Sequence, residues 1–355
     1  MLFRSAGASK TFGALLPGLP AAGQVWMIEA LAARADADAR TAIRGQVQST
    51  NAAARRAALS AIGRLEDASA VPLLASALAG AETSEDKAAV EQALTGLRGG
   101  SSTDAAITHA MQKARGASRV ALIGLLARRG AAGSVPALLI ESDSTNAAVA
   151  RAAYQSLSKL AGAAEVPALM QRLVRTADGA LRGDVEAATA RALSRMPDAA
   201  ARSKAILGAL AANAGVEARC PLIRLLPVAG DAASLEALRK ASAEADPRVR
   251  DAAVRALAGW PDVAAWDALS AVFQKPENDA QRALAFGGLV RMTRGLNAKP
   301  DDALMARYRL LVDGVRTDDD RRQILGALAG VAHPAALAMA VPMLDVPAVR
   351  AEAVL

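Results

Sequence analysis

The sequence lacks most of the residues that carry chemistry in enzymes. It has one cysteine and two histidines among 355 residues. A single cysteine excludes an internal disulfide framework. Aromatic residues make up 3% of the chain, so bulky side chains cannot fill most of a core. No uncharged apolar run approaches the roughly 18 residues that predict a membrane span.

Alanine and arginine are abundant instead. About a quarter of the residues are Ala, the residue with the highest helix propensity. The formal net charge is +7, which requires that nucleic acid and acidic partners be considered. An alanine-rich, aromatic-poor chain of this kind favours helices packed at close range.

One pattern recurs about every 32 residues, which indicates an array of structural repeats. Each copy begins with a helix-capping Asn or Asp, continues with Arg, and then places small, small and apolar residues at i, i+3 and i+4. Those positions share one helix face. The triplets are Ala58, Ala61, Ile62; Ala121, Gly124, Leu125; Ala153, Ser156, Leu157; Ala253, Ala256, Leu257; and Ala285, Gly288, Leu289.

A second element follows each of these first helices. It contains an apolar pair, such as Val71 and Leu74 or Val166 and Leu169, and often a proline at the position where a helix begins. Proline costs nothing there because that N–H has no partner in the helix. First helices are predicted to begin near residues 20, 50, 84, 116, 146, 182, 215, 246, 279, 317 and 347. Pro221 is predicted to kink or shorten its helix.

The stretch Asp246-Pro247-Arg248-Val249-Arg250, with its alanines after it, resembles a bacterial HEAT repeat of the phycobilin-lyase type. The likeness extends over nearly the whole chain and implies a segment of a larger multidomain protein. The predicted fold is an all-α, right-handed α-solenoid of about ten stacked HEAT-like helical hairpins. Residues 1–19 are predicted to be an N-terminal lead-in, and residues 20–355 the solenoid, with an incomplete last repeat that frays or self-associates.

A search for reactive groups finds no convergent set, so we predict no catalytic residues, no metal site and no cofactor. His109 and His333 lie in distant repeats, and repeats touch only their neighbours. Cys220 is interpreted as a small buried hydrophobic residue. Ser156 and Lys159 have the Ser-x-x-Lys spacing of serine acyl-enzymes, but Ser156 occupies the small-residue position of its repeat.

Charged clusters are interpreted structurally as well. The acids at 318–320 precede a helix, whose N-terminal dipole favours negative charge. Arg128 and Arg129 are predicted to lie on a solvated face. HEAT proteins that bind nucleic acid line their concave face, made by second helices, with Lys and Arg. Here the outward positions of those helices are mixed in sign, and we predict that they form a partner-binding concave face: Gln171, Arg175, Glu236, Lys240, Asp267 and Lys275.

The sequence therefore predicts a non-enzymatic protein-interaction scaffold with a protein partner. A nucleic-acid-binding HEAT protein is the first alternative, because of the net charge, and a non-catalytic subunit of a lyase-type enzyme is the second. The N-terminus loosely imitates a signal peptide. The sequence slightly favours the cytoplasm as the location. A periplasmic location requires an export signal in this N-terminus or in a segment upstream of it.

Overall fold

The computed structural model describes residues 7–177, 179–294 and 300–354, and those residues form helices and turns without a β-strand. The first six residues of the N-terminal segment that imitates a signal peptide lie outside this range, as does Leu355. The chain divides into two compact units, unit 1 (Met1–Ala161) and unit 2 (Gly162–Leu355).

Unit 1 is a stack of helical hairpins in which first and second helices alternate. First helices pack on one another in sequence order, α2 on α4, α4 on α6, α6 on α8 and α8 on α10. The second helices also meet, as α5 does with α7. The helices are α1 (Ala8–Leu15), α2 (Ala21–Arg34), α3 (Ala37–Gly45), α4 (Ala52–Leu65), α5 (Val71–Gly80), α6 (Ser84–Gly96), α7 (Ser101–Lys113), α8 (Gly116–Arg128), α9 (Val135–Glu141) and α10 (Ala147–Leu160).

Unit 2 repeats this arrangement. Its first helices α12, α14, α16, α18, α20 and α22 pack in that order, and second helices lie between them along the chain. The helices are α11 (Val166–Arg175), α12 (Gly179–Ser194), α13 (Ala199–Ala212), α14 (Val216–Ala229), α15 (Ala232–Ala241), α16 (Pro247–Ala258), α17 (Trp266–Gln274), α18 (Asp279–Arg294), α19 (Asp302–Asp313), α20 (Asp318–Leu328), α21 (Pro334–Ala340) and α22 (Arg350–Val354).

The first helices begin within three residues of the predicted positions, so the prediction of an all-α repeat fold is confirmed. The capping side chains of Asn51, Asn146 and Asp246 accept hydrogen bonds from the first backbone N–H groups of their helices. Such caps satisfy donors that have no partner inside the helix. The small-residue triplets are buried, except that Ala121 and Gly124 of α8 keep partial exposure.

Two details differ from expectation. A short 3-10 turn precedes four of the second helices, at residues 68–70, 132–134, 163–165 and 263–265. Of the two predicted effects of Pro221, a kink or a shortened helix, the shortening does not occur, because α14 runs for 14 residues through both Pro221 and Pro227. Each proline removes one N–H donor, and burial of the residues between and after them, Leu222, Ile223, Leu225, Leu226 and Ala229, offsets that loss.

Candidate functional site

The residues whose side chains could take part in catalysis are instead engaged in packing. The Ser156 hydroxyl donates a hydrogen bond to the Ile123 carbonyl at 3.1 Å, across to the neighbouring first helix. Cys220 is half-buried, and that burial raises the pKa of its thiol. A raised pKa keeps the sulfur protonated and therefore a poor nucleophile at neutral pH. Within the described residues no cluster of His, Cys, Asp and Glu can hold a metal ion.

The acids at the start of α20 have structural partners. Asp320 and Thr317 form a reciprocal capping box. Asp320 also accepts a hydrogen bond from the buried Arg282 at 2.6 Å. Burial alone would raise the pKa of Asp320, but the hydrogen bonds from Arg316, Arg282 and Thr317 outweigh it and lower the pKa. Asp320 thus stabilises both the start of α20 and the buried Arg282, while Asp318 and Asp319 pair with Arg321 and Arg322 of the same helix.

A recurring arginine closes the turn before each of several helices. Its guanidinium donates to a backbone carbonyl five or six residues earlier, where the preceding helix has ended. Carbonyls at a helix C-terminus lack partners inside the helix and favour a positive charge. We call this set the turn arginines: Arg55, Arg182, Arg202, Arg250 and Arg350.

Several arginines also form an ion pair with an acid that follows them in the chain, in or near the next helix. Arg219 pairs with Glu244 at 2.5 Å, and the turn arginines Arg55 and Arg250 pair with Asp86 and Glu277. Much of the positive charge is therefore neutralised between successive elements.

Arg129 corrects the prediction of a solvated basic pair. Its side chain is only 8% exposed, whereas the Arg128 side chain is 45% exposed. Arg129 pairs with Asp104 at 2.6 Å and donates to three carbonyls at the end of α6, those of Leu94, Thr95 and Leu97. The sequence hides this role because the partners lie 25–35 residues away along the chain.

All six residues predicted to bind a partner are exposed and lie on second helices or directly after one. Gln171 and Arg175 are on α11, and both line one groove. Glu236 and Lys240 are on α15, where their side chains pair at 3.7 Å. Asp267 is on α17, and Lys275 follows it. The structure thus brings together Gln171 with Arg175 and Glu236 with Lys240, shows no contact between Asp267 and Lys275, and distributes the three pairs over separate helices.

The groove beside Gln171 and Arg175 lies between the second helices α11 and α13 of unit 2. Its volume is about 510 Å³. Alanines of α13 form one wall, and Val166, Met170 and Val174 of α11 form the other. Polar groups line it at Gln171, Arg175 and Asn213. The groove is therefore a shallow apolar surface with a polar border.

A second groove occupies the same kind of position in unit 1, between α5 and α7, with a volume of about 540 Å³. Within the described residues its lining contains no acid, and three basic residues border it: His109, Lys113 and Arg115. This groove is not evident from the sequence alone, although the second helix α5, which bears no charge, is a signal for it. The rest of the lining is small or apolar: Ala68, Val71, Pro72, Ala75, Ala79, Ala106, Ala110, Ala114 and Ser118.

Comparison with protein families identifies HEAT repeats in residues 13–95. These residues contain α2 to α5 and nearly all of α6. The match therefore includes one wall of the unit 1 groove. A comparison with curated proteins found no match to the sequence.

Among solved structures, the chain is similar to the karyopherin Kap121p. One structure shows that protein bound to the extreme C-terminus of the protein phosphatase Cdc14p, with a TM-score of 0.60 and 12% identity. Another shows it bound to Pho4p, with a TM-score of 0.59 and 12% identity. Each match covers 97% of this chain and 44% of the karyopherin. At this identity the likeness shows the fold alone.

The phycocyanin lyase complex of CpcE and CpcF from Nostoc also matches, at 20% identity over 78% of this chain and 94% of that one. Its TM-score is 0.34, too low to support an argument. The family-model match still assigns HEAT repeats to residues 13–95. In residues 7–177, 179–294 and 300–354, no helix combines the length and apolar character needed to cross a membrane.

Proposed function

We propose that this chain is a non-enzymatic scaffold that binds a protein partner through its second helices. The observation that carries the proposal is an apolar groove between adjacent second helices, which the described residues form in both units. Concave surfaces with an apolar floor and a few polar groups at the border are typical of binding sites. Helical repeats present such surfaces in series.

The likeness to karyopherin structures supports this proposal as an analogy of fold. In one of those structures the karyopherin is bound to the C-terminus of a protein phosphatase, and in the other it is bound to Pho4p. A repeat array offers similar helix surfaces for a partner, but the identity of the partner depends on side chains that differ at 12% identity. The proposal therefore extends to protein binding and leaves the partner's identity open.

Nucleic-acid binding is the second candidate, because the net charge is +7. Tracking a phosphate backbone requires a continuous positive stripe. The turn arginines donate to backbone carbonyls, and Arg219, Arg224 and Arg282 pair with acids. On α15, Lys240 lies beside Glu236. These contacts make a protein partner the better-supported candidate.

Site-specific cross-linking tests the proposal. A photo-reactive amino acid at Gln171 or Lys240 on second helices should capture a protein partner in cells expressing the full chain. Arg191 on α12 and Arg255 on α16 are exposed positions on first helices and serve as controls. The proposal is wrong if cross-links to protein form only from the control positions, or if the captured molecule is nucleic acid.

A further inference from the structure

The unit 1 groove differs from its counterpart in unit 2 by its charge. Lys113 is the last residue of α7, and Arg115 directly precedes α8, so both exposed cations lie at one end of the groove. In the unit 2 groove, Arg175 is the only cation in the lining given by the described residues, and Gln171 and Asn213 are neutral. The unit 1 groove thus combines an uncharged floor with a positive end.

The floor of this groove carries alanines at helical spacing, which suits the packing of another helix against it. Ala75 and Ala79 of α5, and Ala106 and Ala110 of α7, recur at a spacing of four residues on their helices. Side chains at that spacing form one ridge along a helix. Two low ridges of alanine leave a channel into which the side chains of a third helix can pack, because small residues allow close approach of backbones.

We propose that the unit 1 groove binds an amphipathic helix of a protein partner, apolar where it enters the groove and acidic where it meets Lys113 and Arg115. This inference rests on the proposed function. Helices that lay an apolar face in a groove are a common mode of peptide recognition, and complementary charge at the border of a surface selects partners and orients them. Nucleic acid fits poorly, because the floor is uncharged and the cations are confined to one end.

A displayed peptide library tests the inference. The probe is a set of helical peptides about 16 residues long, with Ala and Leu fixed on one face and the flanking positions randomised. Peptides that bind the immobilised full chain are selected. We expect the recovered peptides to be enriched in Asp and Glu near one end and depleted in Lys and Arg.

Two pairs of variants locate the binding. Lys113→Glu with Arg115→Glu reverses the positive end, and we expect it to weaken the selected acidic peptides about tenfold or more. Lys87→Glu with Arg98→Glu makes the same change in net charge at exposed positions outside the groove lining, and should have little effect. Ala110→Leu fills the channel, whereas Ala105→Leu adds the same side chain at an exposed position of α7 outside it.

The outcomes separate this inference from the proposed function. Loss of binding in the reversed-charge and Ala110→Leu variants, with both controls unchanged, supports the inference. Selected peptides that bind all four variants equally bind elsewhere, which overturns the inference and leaves a protein-binding scaffold. If no peptide is enriched, the groove is not a helix-binding site, and the cross-linking experiment decides the proposed function separately. Recovery of basic peptides also overturns the inference.

Discussion

Unit 2 holds most of the buried aromatic side chains, whereas the described part of unit 1 fills its core mainly with aliphatic ones. The buried aromatic residues of unit 2 are Trp260, Trp266, Phe273, Phe286 and Tyr308, while Tyr154 is the one that the described part of unit 1 contributes. Both units bring helix backbones together at a glycine. A Cβ added to Gly63 would lie 2.8 Å from the Ala93 Cα in unit 1, and one added to Gly288 would lie 2.8 Å from the Ala258 Cα in unit 2.

The difference shows two ways to stabilise the same hairpin. Unit 2 also buries an ion pair between Arg282 and Asp320, whose side chains are 4% and 5% exposed. In unit 1 the buried arginine is Arg129, which relies on backbone carbonyls and the partly exposed Asp104. Alanines of α5 and α7 line the unit 1 groove, which has cations at one end, and that combination underlies its proposed role in binding.

The largest effect is expected from breaking the buried ion pair of unit 2. Arg282→Met should lower the free energy of unfolding by about 3–5 kcal/mol, because it leaves Asp320 charged and buried. The matched control is Arg322→Met, which removes an exposed pair with Asp319 and should cost less than about 1 kcal/mol. Urea denaturation measures both, and hydrogen exchange should show faster opening in unit 2. Equal effects of the two substitutions would contradict the prediction.

The same carboxylate gives unit 2 a pH dependence. The pKa of Asp320 in the folded chain lies below its ordinary value of 3.8. Its stabilising contribution is therefore complete above pH 3.8 and is lost as the pH falls through the lower folded-state pKa. The free energy of unfolding is measured at neutral and at acidic pH for each protein. It should fall less on acidification in Asp320→Asn than in the native chain. An identical acid response would exclude this role.

The corresponding substitution in unit 1 should have a smaller effect. Arg129→Met removes one ion pair and three carbonyl contacts, and we expect a loss of about 2–3 kcal/mol. The adjacent Arg128 is the control, because its pair with Glu91 is half-exposed and should contribute less than about 1 kcal/mol. Urea denaturation of Arg129→Met and Arg128→Met measures the free energy of unfolding that each arginine contributes. The packing account of Arg129 fails if Arg128→Met is the more destabilising change.

Glycine substitutions sharpen the comparison of backbone packing. Gly63→Ala should destabilise unit 1 by about 1–3 kcal/mol, since the new methyl group meets the backbone of α6 and not a movable side chain. Gly208 lies within α13 of unit 2 with nothing within 4 Å of an added Cβ. Gly208→Ala should therefore stabilise by about 0.5–1 kcal/mol through helix propensity. Thermal unfolding of the two variants should shift in opposite directions.

The smallest effect concerns Cys220. Because burial raises the pKa of this thiol, alkylation by iodoacetamide at pH 7.5 should be slower than that of a small free thiol. Urea should raise the rate to that of an unfolded peptide. Rapid alkylation of the folded chain would show that the thiol is reactive after all.

The periodic pattern predicted the fold well because each repeat is defined by local signals. Capping Asn and Asp residues, small residues at i and i+3, and prolines at helix starts are all readable within one hairpin. The contacts of Arg129 and Arg282 were not predictable in this way. Their partners lie between 25 and 38 residues distant, and the pairing depends on how successive helices pack.

The grooves also depend on packing. Alanines at 75, 79, 106 and 110 are common residues in this chain, and only the contact of α5 with α7 makes them one surface. The six residues predicted on second helices are exposed, yet their role in binding stays a prediction. What the sequence does not encode locally is which neighbouring side chains share a groove.

The turn arginines donate to backbone carbonyls between helices, so we expect their charge to stabilise the fold and not to bind nucleic acid. Titration of the full chain and of Arg250→Met with duplex DNA at physiological salt tests it most directly. We predict weak binding without sequence preference, equal in the two proteins, while Arg250→Met unfolds at lower urea concentration. Submicromolar, sequence-selective binding that is lost in a folded Arg250→Met chain would contradict the claim.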